Sequence, residues 1–125
     1  MYSAGAEDQN YLRGVQATGS DGTATFDSIF PGAYDGRWPH VHFEVYESID
    51  AATGGGQPIA TSQIALPKDT CDDVYATAGY EASIANLARV SLQTDMVFAD
   101  SYQSETGTVT GSVADGLAVS LPVPV

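Results

Sequence analysis

His40 and His42 are the only two histidines of the chain. They stand one residue apart in the run Tyr34-Asp35-Gly36-Arg37-Trp38-Pro39-His40-Val41-His42-Phe43-Glu44. On a strand, residues two apart point to the same face. A strand here therefore sets two imidazoles side by side and turns Val41, Phe43 and Val45 the other way, toward a core. Tyr34 follows Pro31-Gly32 on a bend that can fold back over that strand. Two imidazoles and a phenol oxygen meeting at one point make a metal site. The plainer alternative is a strand with one solvated polar face of His40, His42 and Glu44, and a surface ion pair between Arg37 and Glu44 or Asp35.

The elements that must carry these residues read as short strands. Residues 11–17 and 23–29 alternate in polarity, and Gly19-Ser20-Asp21-Gly22 between them is a turn signal, which predicts a hairpin. The bend comes next, then the histidine strand over 40–46. Residues 50–57, with Gly54-Gly55-Gly56, read as a surface connection. A strand over 59–66 carries Gln63 and stops at Pro67. Residues 68–75 and 80–88 are short helix candidates, the second with Tyr80, Ile84 and Leu87 near one face. Residues 107–114 and 117–125 alternate again around the turn Asp115-Gly116. The expectation is an all-β chain, an antiparallel β-sandwich with a few short helices, forming one domain over 1–125. Trp38 reads as core packing, and Tyr46, Tyr75, Tyr80 and Tyr102 as half-buried tyrosines.

Composition narrows the function. A length of 125 residues suits one domain. The formal net charge of −12, with four basic residues, excludes the basic surface that nucleic acid or an anionic membrane requires. No apolar run reaches the roughly 18 residues of a membrane helix. The start has no signal-peptide pattern, so the sequence as written reads as cytoplasmic, with secretion left open if an upstream segment precedes it. Cys71, beside Asp72 and Asp73, is the single cysteine and reads as structural.

Several runs together carry a resemblance: Tyr11-Leu12-Arg13-Gly14-Val15-Gln16, Gly22-Thr23-Ala24-Thr25-Phe26, Pro31-Gly32-Ala33-Tyr34 and Gly36-Arg37-Trp38-Pro39-His40-Val41-His42-Phe43. From about Tyr2 to Val125 the chain resembles the catalytic part of the intradiol ring-cleavage dioxygenases, the catechol and protocatechuate dioxygenases and their relatives. The resemblance implies a non-haem Fe(III) bound by two tyrosines and two histidines. Tyr34, His40 and His42 match three of those ligands. Arg37 matches the active-site arginine and Gln63 an active-site glutamine.

It further implies a catechol-type substrate that chelates the iron, attack by O2, and cleavage between the two hydroxylated carbons to a cis,cis-muconate type product. Tyr34 would double as a base, and Arg37 would stabilise developing negative charge. The fourth ligand falls in a Tyr-Ser segment. It is either Tyr2 or a residue upstream of Met1; the expectation is the second, a truncated start with weak iron binding. Two tyrosinates and a hydroxide neutralise Fe(III), whereas one tyrosinate leaves it short. Two other classes stay open. One is a degenerate, non-catalytic β-sandwich binding module. The other is a zinc hydrolase built on His40, His42 and a carboxylate, for which Glu44 is the same-face candidate. Substrate identity and assembly into a homo-oligomer also stay open.

Overall fold

The computed structural model describes residues 12–125. Tyr2, and the loop or edge strand expected over 1–10, lie outside the described residues. In chain order the elements are β1 (His40–Val45), α1 (Ile49–Thr53), β2 (Ala60–Ala65), α2 (Lys68–Tyr75), α3 (Glu81–Leu87), α4 (Tyr102–Glu105), β3 (Thr108–Ser112) and β4 (Gly116–Ser120). They make two small antiparallel sheets, β1 with β2 and β3 with β4, and four short helices. No described helix is long and apolar enough to cross a membrane.

The expected hairpin over 11–29 keeps its turn but not its strands. Gly19 N donates to Thr23 O at 2.9 Å, and Gly22 N to Gly19 O at 2.9 Å. The arms either side are irregular. Val15 and Phe26 stay exposed. An amphipathic strand needs a core beneath its apolar face, and among the described residues none lies under these arms. The connection over 50–57 is more ordered than expected. Ser48 accepts from Ala51 N at 3.0 Å and caps α1.

The core forms where β1 begins and β2 ends. Ala33, Trp38, Ala65, Leu66, Cys71, Val74, Tyr75, Leu87 and Phe98 make one buried cluster. α2 starts after Pro67, carries Asp69 in its first turn, and buries Cys71, Val74 and Tyr75 at i, i+3, i+4 spacing. α3 buries Ser83 and Leu87. Ile84, expected on the inner face, points outward at 53 % exposure. Tyr75 is fully buried rather than half-buried. Burial pushes the Cys71 thiol up to about 12, so it is the inert, structural cysteine expected.

The second sheet joins the first at one place. Thr106 bridges Ala65 in parallel, and Gly107 N donates to Ala65 O at 2.9 Å. A Cβ at Gly107 would meet Val119 Cγ1 at 2.6 Å and Ile64 Cγ2 at 2.9 Å. Only glycine allows this approach. Leu117 and Val119 of β4 pack against the main core from that side.

Candidate metal centre

The bend 30–33 is held by the helices behind it. Tyr75 Oη donates to Pro31 O at 2.9 Å, and Tyr80 Oη to Phe30 O at 2.7 Å. Asn86 Nδ2 donates to Ala33 O at 2.8 Å, and Ala33 N to Ser83 Oγ at 3.0 Å. Four bonds, from α2, α3 and the residue just before α3, therefore fix the stem from which Tyr34 projects. Gly36, at φ +89°, turns the chain between Tyr34 and Arg37. Trp38 is buried, and its Nε1 donates to Leu66 O at 2.8 Å. Leu66 N donates to Pro39 O at 3.0 Å, which continues the pairing just before β1 begins.

Tyr34 and His40 come together. Tyr34 Oη lies 3.4 Å from His40 Nε2, and the rings meet edge to face at 5.7 Å. His40 Nδ1 donates to Trp38 O at 2.6 Å. That bond puts the ring proton on Nδ1 and leaves the Nε2 lone pair facing the phenol. Burial lowers the His40 pKa, against the bond to Trp38 O that raises it, so the ring is neutral at pH 7.

His42 joins a second chain of contacts. The register of β1 on β2 sets His42 opposite Gln63, and Gln63 Nε2 lies 3.4 Å from His42 Nδ1. Gln63 Oε1 accepts from Arg37 Nη2 at 2.6 Å. His42 Nε2 is buried without a hydrogen-bond partner. Glu44 Oε1 stands 3.6 Å from it, an ion-pair distance but beyond a hydrogen bond. Glu44 also accepts from Tyr46 Oη.

These donors fit a hard metal ion. Two ligands with bonds of about 2.0–2.1 Å stand roughly 3 Å apart, close to the separation of Tyr34 Oη and His40 Nε2. His42 Nε2 is a buried nitrogen without a partner; with Nδ1 facing the Gln63 amide nitrogen, the neutral ring carries its proton on Nε2, and holding a cation there needs the other tautomer. Among the described residues no three His, Cys, Asp or Glu side chains cluster together. The donors in direct contact are the Tyr34 phenol and one imidazole, that of His40; His42 contacts Gln63 and Glu44 instead.

No known family model, curated protein or solved structure matches the chain. The functional reading rests on the motif and on its geometry.

Two readings of the sequence need correction here. Arg37 pairs neither with Glu44 nor with Asp35. Its Nε donates to Asp95 Oδ2 at 2.9 Å and its Nη2 to Oδ1 at 3.3 Å. Val41 does not face a core; it is 41 % exposed. Phe43 and Val45 are half-buried, as are His40 and His42, and His40 packs against the buried Phe98 at 6.3 Å between ring centroids. Asp95 was missed as a site residue. The available signal was the acid at the head of Asp95-Met96-Val97-Phe98, a place where an aspartate bonds the backbone just after it.

A cleft of about 450 Å³ opens beside Tyr34 and His40. Ile29, Phe30, Pro31 and Trp38 give it apolar walls, and Tyr80 and Ser83 also line it.

Proposed function

We propose that the chain is the catalytic part of a non-haem Fe(III) intradiol dioxygenase. It would cleave a catechol-type ring with O2 to a cis,cis-muconate type product. The observation that carries the reading is the approach of Tyr34 Oη to His40 Nε2 at 3.4 Å, at the motif positions. The Arg37–Gln63 pair beside His42 supports it. We also read the two small sheets as parts of a β-sandwich. The meeting of Ile64 and Val119 over Gly107 supports that reading.

Tyr34, His40 and His42 would hold the iron. A ferric ion held there would supply Lewis acidity toward the substrate's oxygens. The chain's own residues do the rest. The bond to Trp38 O keeps the His40 lone pair turned outward. The apolar side chains lining the cleft would pack against the flat ring of a substrate. Tyr34, 55 % exposed and lining the cleft, would as a tyrosinate take a proton from a substrate hydroxyl. Arg37 sets a fixed positive charge near the place where negative charge develops.

The test is iron content and colour. The parent protein, loaded with ferric ion, is expected to show a tyrosinate charge-transfer band and to consume O2 with catechol. His40→Ala and His42→Ala are each expected to lose most of the iron. Unchanged iron content in both variants overturns the site. A colourless parent that binds no iron leaves the degenerate binding module as the better reading.

A further inference from the structure

We infer that Asp95 is a positioning residue that orients Arg37 and, through it, Gln63. The inference rests on the reading of Arg37 and Gln63 as site residues. The Asp95 side chain is wholly shielded from solvent and faces five donors. Three are backbone groups: Trp38 N at 2.8 Å, Val97 N at 2.8 Å and Phe98 N at 3.2 Å. These hold the carboxylate in place without Arg37. The guanidinium therefore adapts to the carboxylate, and not the reverse.

A two-point arginine–carboxylate contact sets the direction of the guanidinium and the roll of its plane. The Nη2 that reaches Oδ1 at 3.3 Å also donates to Gln63 Oε1 at 2.6 Å. The plane chosen by Asp95 thus sets where the Gln63 oxygen stands. With its oxygen held there, Gln63 presents Nε2 to His42 Nδ1 at 3.4 Å. Among the described residues Nη1 is the guanidinium nitrogen left without a hydrogen bond. A merely structural Asp95 would cap the turn 95–98 and tie it to Trp38, with no control over Gln63.

The first test uses the metal-free full chain and nitrogen-15 NMR. The Arg37 Nε–H, identified by its absence in Arg37→Lys, is expected to exchange slowly with solvent. In Asp95→Asn an amide nitrogen must oppose donors whichever way it is turned. The slow exchange is expected to vanish and the Gln63 side-chain amide to shift. Both signals unchanged overturn the inference. Should Asp95→Asn fail to fold, Arg37→Lys decides. The Gln63 amide must shift there while the Val97 and Phe98 amides stay protected; an unshifted Gln63 overturns the inference.

The second test is a double-mutant cycle on 4-nitrocatechol binding to the ferric protein. Asp95→Asn is expected to weaken binding about tenfold in the parent and less than about twofold in an Arg37→Met background. Equal losses in both backgrounds mean a structural role and overturn the inference. A ferric parent that gives no colour change with 4-nitrocatechol sinks the dioxygenase reading, and the NMR result still decides Asp95.

Discussion

Arg37 keeps only 14 % of its side chain exposed, yet it carries a full charge. A buried charge must be paired or it costs several kcal/mol. Asp95 supplies the pairing, and Gln63 accepts the remaining hydrogen bond on Nη2. Its place beside the histidine strand fits electrostatic stabilisation rather than metal binding. Arg37→Ala is expected to keep its iron and to lose roughly 10²-fold in turnover of a catechol, the usual scale for one preorganised donor. Arg37→Lys should recover little, because an ammonium lacks the planar fork that spans Asp95 and Gln63. Unchanged turnover in Arg37→Ala would remove the residue from the mechanism.

At the scale of elements, the site is a hairpin backed by helices. β1 and β2 bring Gln63 opposite His42, and α2 and α3 clamp the bend that carries Tyr34. The second sheet reaches this unit through Gly107. A methyl group there collides with Ile64 of β2 and Val119 of β4, so Gly107→Ala must push the sheets apart or strain one of them. The expected loss is about 1–3 kcal/mol, read from urea unfolding. Full stability in that variant would show that the two sheets do not meet where Gly107 places them.

For the molecule as a whole, acidity sets the electrostatic background: 16 acidic residues against four basic ones. Most of that charge raises solubility and self-repulsion rather than holding the fold. Asp95 is an exception. Burial pushes its carboxyl up, but the bonds from Arg37, Trp38, Val97 and Phe98 outweigh burial and hold it at about 2, against an ordinary 3.8. A carboxyl that ionises more readily when folded contributes stability above its unfolded pKa. That contribution disappears as pH falls from about 4 to about 2. Asp95→Asn is therefore expected to be less stable than the parent by about 2 kcal/mol at pH 7. The gap should close over that acid window, as measured by denaturant unfolding at a series of pH values. A gap that stays constant with pH would mean the charge of Asp95 contributes nothing to folding.

Much of the local structure was legible in the sequence because local rules decide it. Pro67 and the acids behind it start α2, and the period of two around His40 and His42 makes β1. The turn chemistry of Gly19–Gly22 and of Asp115-Gly116 sets chain reversals. Tyr34 and His40, six residues apart in one run, are close in space as that run suggested. Tertiary structure decided which side of each element is buried. Alternation marks two faces of a strand but does not say which one the core will cover. Val41 therefore ended outside while His40 packs on Phe98. The arms over 12–29 alternate as strands do, yet pair with no strand among the described residues. The partner of Arg37 was likewise invisible, because Asp95 is remote in sequence and a salt bridge between distant residues leaves no periodic signal. It forms only when the chain folds back and buries both groups together, where each charge needs the other.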